Sequence, residues 1–200
     1  EPRTADGAGY NPNRRGWPAS TFLSEWAGLQ LLTEVGGDAP VAPRFYGGDL
    51  AEGVFAMEDL GAGTRLDHAL LGDDRQAAVD TLNALMVTLA RMHTQTASSG
   101  VLYSELRASL GPVAARDLRH GMPTTRVERF ADAARRVDFT PARGFYAEMQ
   151  ALRSRWNVAT DALCYVHFDA CPDNCHWVGD ELRLLDFESG QLAPWGADAA

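Results

Sequence analysis

Apolar side chains first fall into a helical rhythm at Phe22, Trp26, Leu29 and Leu32, spaced three or four residues apart. Ser20 suits the N-cap of that helix and Gly36-Gly37 its stop. Residues Glu1–Pro18, rich in Gly, Asn, Pro and Arg, show no such period and predict a loop or mobile tail. Arg44–Gly48 and Val54–Leu60 predict two short strands, a hairpin joined through Asp49–Gly53 and closed by Gly61–Gly63. From Asp74 to His93 the pattern predicts a long core helix. Its stripe is Val79, Leu82, Met86, Leu89 and His93, with Leu85 and Met92 widening the apolar face.

Helical patterning returns between Ser98 and Ala159, broken at Gly111-Pro112, Met122-Pro123 and Thr140-Pro141. Phe145, Met149, Leu152 and Trp156 mark its last helix. The period then changes: Leu163–Phe168 predicts a buried strand, and Cys175–Val178 with Leu182–Phe187 a hairpin about Gly179-Asp180. Ser189–Ala200, with Gly, Pro and Ala and little period, predicts no element, so no helix is expected to cover that hairpin. Helix, hairpin, helices and a small polar-tipped β-element make an α+β fold, and the long helical middle argues against a doubly wound sheet.

Two hundred residues, 46% of them hydrophobic, suffice for a real core. The longest apolar runs fall far short of the roughly 20 residues a membrane helix needs, and no signal-like start is present, so a soluble, cytoplasmic protein is expected. A net charge of −9 with scattered arginines argues against a nucleic-acid partner. The three cysteines, an odd number, all fall between Cys164 and Cys175, which favours reduced thiols over a disulfide framework. One absence changes the picture more: all eighteen basic side chains are arginine and there is no lysine.

Chemistry concentrates in His167-Phe-Asp169-Ala-Cys-Pro-Asp-Asn174 and, twelve residues on, Asp186-Phe187-Glu188. Phosphoryl transfer needs a base or orienter for the attacking hydroxyl and hard oxygen ligands for the metal on the phosphates. Asp169, leaving the strand Leu163–Phe168, suits the first task. The neutral amide oxygen of Asn174 and the carboxylate of Asp186 suit the second, and Pro172 stiffens the loop between. Taken singly, each aspartate near a strand end reads as a cap or turn residue; it is the joint spacing that points to chemistry.

Five soft ligands, Cys164, His167, Cys171, Cys175 and His176, offer a rival zinc reading. Their spacing lacks the paired short intervals of structural zinc modules, and Cys164 belongs to an apolar strand. A Cys175–His176 dyad is disfavoured because neighbours on a strand point to opposite faces. His93, on an apolar stripe, reads as a satisfied core histidine. A third reading is a relative that binds a nucleotide or partner without catalysis; retention of Asp169, Asn174 and Asp186 speaks against it.

These motifs resemble the aminoglycoside phosphotransferase and choline kinase family, relatives of the protein kinases. The likeness rests on the His-x-Asp-x-x-x-x-Asn loop and the Asp-Phe-Gly-like motif, here Asp186-Phe187-Glu188. Val54-Phe-Ala-Met-Glu-Asp-Leu60 is similar to the family's hinge, and Leu89-Ala-Arg-Met-His93 to the helix behind its catalytic loop.

The resemblance implies a protein-kinase-like two-lobed fold, mainly the helical C-terminal lobe (residues 61–200) with a partial N-terminal nucleotide-binding lobe (residues 1–60). It implies Asp169 as catalytic base, Asn174 and Asp186 as Mg²⁺ ligands, and His167 as a brace. Met57, Glu58 and Leu60 would meet the adenine, and Glu25 would hold the phosphate-binding lysine. The implied reaction is transfer of the terminal phosphate of ATP or GTP to a small-molecule hydroxyl, with aminoglycosides or other antibiotics, choline, homoserine and sugars as acceptor classes. The family's lysine-bearing strand, phosphate-covering hairpin and later acceptor-binding helices have no counterpart here. The chain is therefore expected to be a portion of a longer protein, with the lysine upstream of Glu1, Pro2–Pro18 as connector, and Arg14 or Arg15 as the fallback phosphate contact.

Overall fold

Helix α1 (Ala19–Gly36) is apolar on nearly every side: Leu23, Trp26, Ala27, Leu29, Leu31 and Leu32 are all buried. Such a helix must be covered on more than one face. On one side strands β1 (Phe45–Asp49) and β2 (Val54–Met57) form an antiparallel hairpin, with Phe22 stacked on Phe55 (5.4 Å between ring centroids) and Trp26 against Phe45 (5.4 Å). On the other side lie helix α4 (Gly100–Ser109) and the 3₁₀ turn Phe187–Ser189. Ser20 falls inside α1, which begins one residue earlier, so it is not the N-cap the sequence suggests.

The computed structural model describes residues 19–113, 124–158, 163–195 and 197–199. The segment Pro2–Pro18, with Arg14 and Arg15, and the Met122-Pro123 break lie outside the described residues. The second hairpin strand ends at Met57, three residues before the expected Leu60. The Arg44 N–H, which would extend the ladder, donates to the Glu58 carboxylate instead (3.1 Å), while the Glu58 N–H reaches the Arg44 carbonyl (2.8 Å).

After β3 (Thr64–Arg65) and the short α2 (Leu66–Leu70), Asp74 caps α3 (Arg75–Thr96) by accepting from the backbone N–H groups of Gln76 and Ala77. The buried face of α3 keeps Leu85, Leu89 and Met92 of the expected apolar face but not Val79, Leu82 or Met86. Thr81, Leu85, Thr88, Leu89, Met92 and Thr96 face the core, whereas Val79, Leu82 and Met86 are 43%, 46% and 46% exposed. Thr96 can occupy a core position because its hydroxyl is satisfied there: it donates to the Met92 carbonyl (2.8 Å) and accepts from the Tyr165 N–H (3.0 Å). That contact sets which side of the helix meets the strand that carries Tyr165.

Helices α5 (Thr124–Arg136) and α6 (Phe145–Val158) pack on one another, with Phe130 and Phe145 rings 4.8 Å apart. The chain then enters β4 (Leu163–Val166), β5 (Cys175–Val178), β6 (Glu181–Leu184) and β7 (Gln191–Pro194). Strand β5 lies between β3 and β6, and β4 pairs antiparallel with β7, Tyr165 opposite Leu192. The β6 strand stops at Leu184, not Phe187, because Asp186 takes a left-handed backbone (φ 62°) into the 3₁₀ turn. The Gly-, Pro- and Ala-rich tail, from which no element was expected, supplies β7 and the short 3₁₀ turn Ala197–Ala199. Among the described residues no helix is long and apolar enough to cross a membrane.

These two faces of α3 are separable in solution. Leu85→Ala is expected to lower unfolding free energy by about 2–5 kcal/mol, the usual scale for emptying a buried leucine site. Leu82→Ala should cost under about 1 kcal/mol. Urea denaturation of both variants checks the order; a larger loss at Leu82 would mean the outer stripe faces the core.

Candidate active site

The end of β4 delivers His167, Phe168 and Asp169 in succession, and the backbone there is not free to choose its shape. Phe168 has φ 62°, rare for a bulky side chain and worth on the order of 1–3 kcal/mol of strain. Asp198 holds it. One carboxylate oxygen accepts the Phe168 N–H (2.7 Å); the other accepts both the His167 N–H (3.0 Å) and Nε2 of His93 (2.8 Å). The carboxylate is fully out of solvent. Burial alone would raise its pKa, but donors from His93, His167 and Phe168 outweigh that and hold it below the ordinary aspartate value.

His167 is itself fully buried, and its tautomer follows from its partners. The Leu185 carbonyl, 2.7 Å from Nε2, can only accept, so Nε2 carries the proton. Burial lowers the imidazole pKa against the opposing pull of that carbonyl and of Asp198, Asp169 and Asp186, so the ring is neutral at pH 7. Its bare Nδ1 accepts the Asp169 N–H (3.2 Å). The histidine thus ties the Asp169 backbone to the segment just before Asp186, while the Asp169 residue stays exposed.

Asn174 ends the 3₁₀ turn Pro172–Asn174. Its Nδ2 donates to the Asp169 carbonyl (3.0 Å), which fixes the amide and leaves Oδ1 for another partner. Its own carbonyl accepts the Leu185 N–H (2.8 Å), so Asn174 is stitched to the strand leading into Asp186. From α1, Glu25 approaches the same place: the Phe187 N–H donates toward its carboxylate. Burial first, then Asp186 and Glu188, push the Glu25 pKa from 4.5 up to about 7. Glu188 is raised too, by partial burial and by Asp186 and Asp169. Four carboxylates therefore crowd one place, and the electrostatics of the described residues record no basic side chain against Glu25.

The structure brings together Glu25, His167, Asp169, Asn174 and Asp186. Met57, Glu58 and Leu60 stand at the end of β2 and just beyond it, Met57 paired with Phe45 and Glu58 bonded to Arg44; Met57 is 42% exposed and Leu60 half-buried. Two residues that sequence reasoning passed over belong to the site. Glu188 was signalled only as the third position of Asp186-Phe187-Glu188. Asp198 had no signal at all, since its partners are 30 to 105 residues away.

The zinc alternative does not fit. Among the described residues no three His, Cys, Asp or Glu side chains gather where they could hold a metal ion by themselves, and all three cysteines are free. Cys175 Sγ faces the Cys171 carbonyl (3.3 Å) and Cys164 Sγ the Ala193 carbonyl (3.7 Å). Burial pushes the thiols of Cys164 and Cys175 up to about 12 and that of Cys171 to about 11, so in the metal-free protein they are protonated. His176 is half-buried beside the buried Cys175, and the two cannot pair across the strand.

An exposed carboxylate on a rigid loop, an oriented amide oxygen and facing carboxylates with no covalent nucleophile among them suit phosphoryl transfer, and the protein is a phosphotransferase enzyme. The chain belongs to the phosphotransferase enzyme family, the aminoglycoside phosphotransferase and choline kinase-like group, whose model matches residues 11–200. No curated protein matches it.

The raised Glu25 pKa carries a sign that can be measured. Because the folded value of about 7 exceeds the ordinary 4.5, stability is fully present below about 4.5 and falls as pH rises through 7. Glu25→Gln should flatten that decline and make the free protein more stable at pH 8, by on the order of 1–3 kcal/mol. Urea unfolding without nucleotide or metal, from pH 5 to 8, tests it; parallel curves for the two proteins would refute the buried, repelled carboxylate.

Proposed function

We propose that the chain is the catalytic part of a Mg²⁺-dependent small-molecule O-phosphotransferase of two-lobed, kinase-like build, with residues 1–60 contributing to the nucleotide side and 61–200 to the catalytic side. The observation that carries this reading is the Asn174 amide, turned by the Asp169 carbonyl so that Oδ1 is left for a cation beside Asp186. Hard oxygen donors, few in number and sharing a site with phosphates, suit magnesium, which keeps waters and phosphate oxygens in its shell. Asn174 and Asp186 would hold it, with Glu188 alongside. When bound, the ion supplies positive charge against the phosphate oxygens and against the crowded carboxylates.

Asp169 then orients the acceptor hydroxyl and takes its proton. The hydroxyl oxygen bonds to the terminal phosphorus of ATP or GTP, the bond to the bridging oxygen breaks, and the nucleoside diphosphate leaves with that electron pair. His167, neutral and locked at both nitrogens, keeps the Asp169 backbone in place without exchanging a proton itself. On the other side of the site, Met57, Glu58 and Leu60 would meet the base; the Glu58 N–H is already taken by the Arg44 carbonyl, so the Glu58 carbonyl and the Leu60 backbone would make the polar contacts. Acceptors are hydroxylated amines, sugars or antibiotics.

Asp169→Ala is expected to lower turnover about 10²–10⁴-fold while nucleotide affinity stays near the parent's. Asp186→Asn should weaken Mg²⁺-nucleotide binding as well as rate. Diphosphate release across a panel of hydroxylated amines, sugars and antibiotics, with calorimetric titration of nucleotide, checks both. Full turnover in the first variant, or unchanged nucleotide binding in the second, would remove these roles.

A further inference from the structure

The phenol of Tyr165 ends in a slot that only glycines allow. A Cβ placed on Gly28 of α1 would lie 1.9 Å from the Tyr165 hydroxyl oxygen and 2.6 Å from Cζ. A Cβ placed on Gly190, four residues after Asp186, would lie 2.0 Å and 2.5 Å from the same atoms and 3.1 Å from the Phe187 carbonyl. Both are far inside contact distance. The ring is fully buried, tilted against Tyr103 (5.1 Å) and stacked near Phe187 (6.2 Å), so it has no room to retreat. Its backbone is pinned as well, by the Thr96 hydroxyl and by the pairing of β4 with β7.

The slot is aimed at the site. Gly28 is three residues from Glu25 and therefore on the same face of α1. Tyr165 also feels the charge of Glu25. The hydroxyl has no hydrogen-bond partner among the described residues, so shape, not bonding, carries the contact.

We propose that Gly28, Tyr165 and Gly190 form a steric lock that positions the Glu25 helix against the Asp186–Ser189 turn. The two backbones close on the tyrosine tip, and that separation decides whether the Glu25 carboxylate reaches the Phe187 N–H. A methyl group at either glycine wedges α1 and the turn apart. These are positioning residues: none of them touches a reacting group. Their effect on turnover rests on the phosphotransferase reading, but their effect on the Phe187 amide does not.

The experiment compares the parent with Gly28→Ala, Gly190→Ala and the double variant Gly28→Ala with Tyr165→Leu, reading amide hydrogen exchange at Phe187 and at the paired β4 and β7 strands, together with nucleotide turnover. Each single variant should speed exchange at Phe187 by 10-fold or more relative to β4 and β7, and lower turnover. The double variant, in which the smaller leucine frees the slot, should regain most of both. Where Gly28→Ala fails to fold, the double variant should restore folding. Parent-like exchange at Phe187 in both single variants, or a double variant no better than Gly28→Ala, overturns the lock. Protection at Phe187 lost in the single variants and regained in the double variant, in a protein that turns over no nucleotide, would uphold the lock and sink the phosphotransferase reading instead.

Discussion

One buried carboxylate organises the loop that presents Asp169. Asp198, in a short turn near the end of the chain, gathers donors from His93 on α3 and from two consecutive peptide groups at the end of β4. A fully desolvated carboxylate is costly unless its lone pairs are used, and here three donors use them. Two successive N–H groups aimed at one anion need the bent backbone that Phe168 adopts, so the strain at φ 62° is offset by the bonds that impose it. Everything downstream inherits this: Asp169 stands out to solvent because Phe168 is turned, and His167 faces inward to bind Leu185.

Charge balance is the second constraint. Glu25, Asp169, Asp186 and Glu188 repel one another in a partly desolvated place, which is why Glu25 and Glu188 both hold their protons more tightly than usual. On the proposed function, a cation bound there would relieve this repulsion and would couple its binding to the ionisation of Glu25. The arrangement survives because packing, not pairing, holds it. Phe22 and Trp26 of α1 pack on Phe55 and Phe45 of the hairpin, and Tyr165 meets the helix at Gly28.

Much of this was legible in the sequence where the signal was local. The gathering of Asp169, Asn174 and Asp186 could be read because the first two share one loop and Asp186 follows a single hairpin, so spacing along the chain stands for distance in space. The first helix was legible because an unbroken apolar stripe has few other uses. On α3 the pattern placed Leu85, Leu89 and Met92 correctly and Val79, Leu82 and Met86 wrongly, because the buried face also carries Thr81, Thr88 and Thr96, which an apolar stripe omits, and the Thr96 hydroxyl finds partners that periodicity cannot foresee. Asp198 and β7 were invisible for a different reason. A tail of Gly, Pro and Ala has no period, and the partners of Asp198 are distant in sequence, so nothing near it marks its role.

The most direct test of the central claim is a crystal structure of the Asp198→Asn variant. An amide of the same shape presents one acceptor where the carboxylate presents two, so it cannot serve the His167 and Phe168 N–H groups together with His93. The account predicts that Phe168 relaxes to a negative φ and that Asp169 moves away from the Asn174 amide while the β4–β7 pairing persists. A loop unchanged in the variant, with Phe168 still left-handed and Asn174 still bonded to the Asp169 carbonyl, would contradict it.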